Sequence, residues 1–419
     1  ASKGRDSDGD GIPNETDPDD DNDGVLDANG WDLVSTFSGD QSRLSGDGSS
    51  FLYGHISATS PSVGDVFKVV GTSDLFALGS EINPGPVSTY HPAINRDGTV
   101  VAFADSGTNI VEVYQFNGSA WSRKGDDIVG SGYFGWSMDI SGDGDTVVVG
   151  DRTGGYASVF EFISGSWTQV GSNIVGGGLG SERFGADVAI SYDGRIVAIG
   201  GNQGGSGKSG VVRVYENVSG TWTQLGSDVY GYASSRLGFS IGLSADGKTF
   251  ASGASGATAV PGELRVFEFV SGSWIQVGSD LPGDSVGDNF GHGASISPDG
   301  NFVVAASWDG RYGKVFQNVS GVWTQLGSNL TGPDWTGASY PVVSSGGSYV
   351  GLWHESGGEG KVSLYSVSYQ DAFPLDSSET VDTDSDGTGN NADTDDDNDG
   401  VLDTEDAFPL DSTESVDTD

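Results

Sequence analysis

The residues best equipped for chemistry in this chain are aspartates set two apart. From Asp6 the sequence offers side-chain oxygens at Asp6, Asp8, Asp10, Asn14 and Asp17, a main-chain carbonyl at Ile12, and a glycine at Gly11. Counted from Asp6, these fall at the first, third, fifth, ninth, twelfth, seventh and sixth places of a twelve-residue loop. Such a loop wraps a hard divalent cation: calcium takes about six to eight oxygens, and the glycine allows the sharp turn between them. A second loop starts with Asp19, Asp21, Asp23, Val25 and Asp27, but Gly30 stands where its twelfth ligand belongs. Near the other end, Asp382, Asp384, Asp386, Thr388, Asn390 and Asp393 form a third set. Asp395, Asp397, Asp399, Val401, Asp403 and Asp406 form a fourth, with Gly387 and Gly400 at the turns. Calcium is the expected cofactor. The incomplete second loop, and the pair Asp417 and Asp419 that begins a further one, suggest ligands shared between neighbours.

Charge is spread to match. The 419 residues carry a formal charge of −42, of which residues 1–30 supply −8 and residues 371–419 supply −18. An acidic surface repels nucleic acid and anionic lipid, so no nucleic-acid partner is expected. No apolar run approaches the roughly 18 residues that cross a bilayer, so no membrane insertion is expected. The chain has no cysteine, which excludes thiol catalysis and disulfides. Acidic blocks are commonly solvated tails. Here the ligand spacing favours bound cations, because unneutralised carboxylates repel and these segments lack the apolar area to order themselves.

Between the acidic ends the chain repeats itself. A Ser-x-Asp-Gly-like turn recurs at Asp47, Asp97, Asp143, Asp193, Asp246 and Asp299, with Gly346 in a degenerate seventh copy. Each is followed by a β-branched run and an alternating apolar strand such as VVRVYE from Val211 or LRVFEF from Leu264. A Trp-led strand then closes each unit at Trp121, Trp167, Trp222, Trp274 and Trp323, with Leu75 in a weaker copy. Four short strands per roughly 45–50 residues is the pattern of a propeller blade. The seventh unit lacks its Trp-type strand, and WDLVSTFSG from Trp31 is a spare one ahead of the first turn. The prediction is an all-β chain: a seven-bladed β-propeller over 31–370 whose N-terminal strand seals the last blade, flanked by loop repeats over 1–30 and 371–419.

The segments DTDDDNDGVLD and DAFPLD resemble thrombospondin type 3 repeats of bacterial surface proteins. That resemblance implies calcium-wrapped connectors with little other core. FGWSMDISGDG and FGADVAISYDG resemble FG-GAP repeats of the integrin-α type of propeller. Phe-Gly stands at Phe134, Phe184 and Phe290, with Leu-Gly at Leu237. The calcium loop of that family's blades is absent here, so no blade metal is inferred.

Together these features imply an extracellular or cell-surface structural or adhesive protein, non-enzymatic, associating head to tail through its calcium-binding ends. The four histidines are scattered, and no spacing brings two acids together for hydrolysis. The alternative is a lectin-like module binding surface glycan or protein. Its patch would be Trp308, Tyr312, Trp353 and His354 in the loops of blades six and seven, with Trp335 between those blades. Packing within the loops is the simpler role for these rings. A polysaccharide-active enzyme is a third reading.

Overall fold

The computed structural model describes residues 31–38, 41–55, 63–70, 74–79, 82, 92–177, 181–256, 261–319, 321–332, 334–367, 388, 390, 392–398 and 400–404. Contacts divide the chain into one unit of residues 33–366 and another made of 1–32 with 367–419. The described strands form seven antiparallel sheets of four or five strands each. In blade three, Ser137–Ile140, Thr146–Asp151, Tyr156–Ile163 and Ser166–Gln169 pair in sequence order. The other blades follow the same plan, so the chain is a seven-bladed β-propeller.

Ring closure follows the spare-strand prediction. The seventh sheet runs in the order Trp31–Ser38, Glu359–Val367, Tyr349–Ser356, Trp335–Val343. Thr36 Oγ1 and Ser363 Oγ are hydrogen-bonded at 2.9 Å. The Phe37 ring lies 5.6 Å from Phe51 and 5.4 Å from Phe67 of blade one. The N-terminal strand therefore completes the last sheet and packs against the first.

The Asp-Gly turns are built from the side chains that recur in them. In blade three Asp143 Oδ1 accepts from Ser141 Oγ (2.6 Å) and the Asp145 N–H (2.9 Å), while Ser141 Oγ accepts the Thr146 N–H (2.9 Å). Blades four and five repeat these bonds through Asp193 and Asp246. In blade two Asn95 replaces the serine and takes the Val100 N–H at 2.9 Å. Blade seven has no aspartate at its turn, and Asp299 of blade six accepts the Gly346 N–H at 3.1 Å instead. Short polar side chains that satisfy local N–H groups are what such turns select.

Neighbouring blades are joined by the Trp-led strands. The indole N–H of Trp121, Trp167, Trp222 and Trp274 donates to the carbonyls of Leu78 (2.7 Å), Lys124 (2.7 Å), Val170 (3.0 Å) and Leu225 (2.8 Å), each in the preceding blade. Beneath them Phe134, Phe184, Leu237 and Phe290 are fully enclosed between blades. The Phe-Gly signal therefore marks an interblade contact; of the repeated Trp residues, Trp323 is buried core, and Trp121, Trp167, Trp222 and Trp274 are half-buried and packed against the blade cores.

Candidate functional site

Three places bear on function, and the acidic segment comes first. Residues 1–30 and 382–387, with Asp399 and Asp406, lie outside the described residues, so those predicted ligands cannot be placed. Residues 393–398 and 400–404 show an acidic loop without strand or helix, closed by its own hydrogen bonds. The Asp403 N–H donates to the Thr394 carbonyl at 3.0 Å, and Asp403 Oδ1 accepts the Asp396 N–H at 2.9 Å. Asp395 Oδ2 accepts the Gly400 N–H at 3.2 Å, and Gly400 takes φ 94° at the sixth place of the loop. Asp393 accepts from the Thr394 and Asp395 N–H groups. Val401 is half-buried and Asp397 buried, while Thr388 is exposed and Asn390 half-buried. Burial, then Asp403 and Asp393, raise the Asp396 carboxyl above its usual range.

The Oδ1 atoms of Asp395 and Asp396 are buried and take no hydrogen bond. Buried carboxylate oxygens without donors are costly, and a hard cation is the partner such oxygens suit. The donor set fits calcium in kind. Among the described residues, however, no group of three or more acids, histidines or cysteines is gathered as a metal site.

The aromatic residues of blades six and seven are placed differently from the prediction. Trp353 and His354 sit within the second strand of blade seven, Tyr312 opens a third strand, and Trp335 opens an inner one. Only Trp308 lies in a connecting loop. Tyr312, Trp335 and His354 are buried, so they do not form an exposed patch. The Tyr312 hydroxyl donates to Asp288 Oδ2 (2.9 Å) and accepts the Asp284 N–H (2.7 Å). Trp335 stacks on His354 with ring centroids 4.2 Å apart, and Trp308 stacks on Trp353 at 5.6 Å. Trp335 and His354 thus stack within blade seven and Trp308 and Trp353 across blades six and seven, whereas the simpler role had put this packing in the loops.

The third place was missed in the sequence. The inner strands surround a central channel holding a cavity of about 230 Å³. Two carboxylates stand in its wall, each stapling neighbouring blades. Asp139 Oδ1 accepts its neighbour Ile140 N–H (2.9 Å), and its Oδ2 accepts the Ile190 N–H of blade four (2.9 Å). Asp187 Oδ1 accepts the Val188 N–H (3.1 Å), and its Oδ2 accepts the Ile241 N–H of blade five (2.7 Å). Burial pushes Asp139 up to about 6 and Asp187 up to about 7, against the pull of those N–H groups and of Arg43. Burial lowers the Arg43 guanidinium although both carboxylates favour its charge. Carboxyls that titrate at about 6 and about 7 can donate as well as accept protons near neutral pH. Their sequence signal was an acid inside an otherwise apolar inner strand, four residues before Ser191 and two before Ser141, hence on one strand face.

This pair gives a pH dependence with a definite sign. Carboxyls raised in the fold hold protons that the unfolded chain releases, so their contribution to stability is complete below about pH 4 and is lost as pH rises to about 7. His292 and His354, lowered by burial to about 4, act oppositely below about 6.5. The comparison that isolates the carboxyl is therefore the melting temperature of wild type against Asp187→Asn from about pH 5 to about 8. The variant should gain on wild type as pH rises; a difference constant with pH would show Asp187 ionised throughout.

Neither protein-family profiles nor curated proteins give a match to this chain. Solved structures do. A Kuenenia stuttgartiensis hydrazine synthase chain superposes with TM-score 0.56 at 16% identity, covering 79% of this chain and 96% of that one. The β-propeller domain of Myceliophteria thermophila Cps50 (Swd1) gives 0.58 at 10% identity, covering 80% and 99%. A candidate 6-phosphogluconolactonase from Bacteroides uniformis gives 0.51 at 15% identity, covering 70% and 84%. At such identities the likeness shows the fold alone. It does correct one expectation: with an enzyme among the proteins sharing this fold, the propeller is no ground for reading the chain as non-enzymatic.

Proposed function

We propose that the propeller is a surface-exposed structural or adhesive module carried on calcium-stiffened acidic connectors, each resembling a thrombospondin type 3 repeat. The observation that carries this reading is the loop at 393–403: six acids and no base, closed by its own backbone bonds, with buried carboxylate oxygens on Asp395 and Asp396 that no donor reaches. Calcium would neutralise these oxygens and turn flexible polyanions into spacers of set length. Extracellular loops of this kind work at Kd values of about 10⁻⁴–10⁻³ M, which suits the outside of a cell. A ligand shared at the incomplete loop from Asp19, where Gly30 takes the twelfth place, would join one copy to the next, head to tail, in a contact that does not close on itself.

Chelation tests both parts. Small-angle scattering of the full chain should show a longer, better-defined particle with calcium and an expanded, flexible one with EDTA. Sedimentation should show assemblies that dissolve with EDTA, and the double variant Asp395→Asn, Asp397→Asn should reduce the bound calcium. Dimensions and bound metal unchanged by chelation would remove the calcium reading. Assemblies that persist in EDTA would remove the head-to-tail one.

A further inference from the structure

Arginine stands in this propeller where the backbone suits glycine or asparagine. The residue before the Phe-Gly or Leu-Gly pair is Arg183 in blade four, Arg236 in blade five and Asn289 in blade six, with φ of 52°, 58° and 53°. The last residue of the loop between second and third strands is Asn109 in blade two (φ 62°), Gly155 in blade three (φ 74°) and Arg311 in blade six (φ 64°). Lys208, in the same loop of blade four, takes φ 59°. A left-handed backbone strains residues with a Cβ, and asparagine and aspartate bear it best. Among the described residues the only long charged side chains held there are these four, all basic, although acids outnumber bases 60 to 18. Strain kept at such positions points to what the side chains do.

The four lie on one face. The Gln203 N–H donates to the Glu182 carbonyl (3.0 Å), the Arg236 N–H to the Lys208 carbonyl (3.4 Å) and the Asp309 N–H to the Asp288 carbonyl (3.1 Å), so the two kinds of loop run side by side. Arg183, Lys208 and Arg236 are exposed. The acids around them are already matched: Arg213 holds Glu182 and Asp228 at 2.9 Å each, and Arg265 holds Glu263 and Asp280 at 2.8 and 3.0 Å. Turned with its amide oxygen toward Arg183, Gln203 accepts from Nε at 3.0 Å and Nη1 at 3.2 Å, a neutral partner. Arg311, two residues from Asp309, is at the margin of the patch.

We propose that the face of Arg183, Lys208 and Arg236 receives the C-terminal acidic segment, residues 371–419, of a second copy of this chain. The proposal rests on the head-to-tail reading above and names the surface that takes the acidic end. That segment has eighteen acids and no base. Nine of them belong to the two predicted calcium sets, which leaves nine, Glu405, Asp411 and Glu414 among them, for other partners. Carboxylates are what the planar fork of an arginine pairs with best. The segment also joins the propeller at the opposite face. Glu359–Val367 is a third strand, starting at a loop of the arginine face and ending at the other, where its fourth-strand neighbour Trp31–Ser38 begins. A copy that receives one acidic end therefore offers its own to the next, in a contact that stays open.

Two measurements on the full chain in calcium test this. In a mixture of unlabelled and isotope-labelled protein, a water-soluble carbodiimide should join Lys208 to a carboxylate within 371–419, in peptide pairs of mixed label. The double variant Arg183→Asn, Arg236→Asn puts at both positions the residue that Asn289 already provides in blade six, so its melting temperature should not fall. Its self-association by sedimentation equilibrium should be at least tenfold weaker, or about 1.4 kcal/mol. Association unchanged in the variant overturns the proposal and leaves the head-to-tail reading standing on calcium alone. A wild-type chain that stays monomeric in calcium overturns both. Cross-links that are absent, or confined to pairs of one label, would show that no second copy occupies the face. Retention on heparin lost in the variant, with association unchanged, would give the face to an outside polyanion and overturn the proposal equally.

Discussion

A chain lacking residues 1–38 is expected to lose the single cooperative unfolding transition of the ring and to self-associate. The deletion removes the outer strand of blade seven and leaves the edge of Glu359–Val367 unpaired. An open sheet edge is a template for another chain, and closed rings avoid it. It also takes away Val34 and Phe37, which pack on a core of Leu44, Phe51, Val342, Val362 and Leu364 shared by the first and last blades. A fully buried phenylalanine is worth about 3–5 kcal/mol; Phe37 and Val34 are half-buried, and together they remove a stabilisation of that order from the about 5–15 kcal/mol that holds a typical domain together. The control is deletion of 1–30, which removes the N-terminal acidic loops and keeps the strand. Urea unfolding followed by tryptophan fluorescence, with size-exclusion chromatography, should show the first deletion broadened and aggregating and the second close to full length in the propeller transition. Equal midpoints for the two deletions would mean that the strand does not secure the ring.

The blade plan was legible in the sequence because every blade repeats the same local solutions. The Asp-Gly turns, the alternating third strands and the Trp-led fourth strands each have their own period and fall in step. The spare strand at Trp31 was legible by counting, since a missing outer strand at one end matched an extra one at the other. The channel was not legible for the opposite reason. Asp139 and Asp187 occupy different positions in their blades, and they meet only because seven inner strands converge on one axis. The aromatic residues failed in a third way. Trp353 and His354 looked like loop residues, yet they lie in a strand, where His354 Nε2 pairs with Ser363 Oγ at 2.9 Å. A blade whose second strand carries rings in place of small residues breaks the pattern from which loops were inferred.

The channel also changes what the propeller can be asked to do. A ring sealed by its own first strand holds its axis rigid, and groups placed on converging inner strands are held more accurately than groups on loops. Asp139, Asp187 and Arg43 all stand on such strands. A polar axis within an apolar ring is thus where this architecture can support recognition or chemistry, while the acidic ends govern spacing.

The Phe-Gly pairs make the sharpest demand on single residues. Substituting Gly185 by alanine should destabilise the propeller by about 3 kcal/mol or more, although the change adds one methyl group. Gly185 takes φ 84°, and a Cβ there would stand 2.4 Å from the Tyr156 carbonyl oxygen and 3.0 Å from Asp151 N, both backbone atoms of blade three. From the other side, a Cβ on Gly150 would meet the Gly185 carbonyl oxygen at 2.5 Å. The two blades thus approach glycine to glycine, and Ser137 Oγ donates to the Gly185 carbonyl at 3.1 Å across the contact. Gly238 and Gly291 repeat the arrangement, with a Cβ 2.6 Å from the Val211 oxygen and 2.4 Å from the Glu263 oxygen. Gly165 provides the comparison: it takes φ 92° in an exposed hairpin, with nothing within 4 Å of a Cβ. Gly165→Ala therefore carries only the left-handed backbone penalty of about 1–2 kcal/mol, and the excess loss in Gly185→Ala measures the close approach of the blades. Urea midpoints of the two variants decide the matter: equal losses would mean that neighbouring blades yield to the extra methyl, and that Phe-Gly is retained for backbone conformation alone.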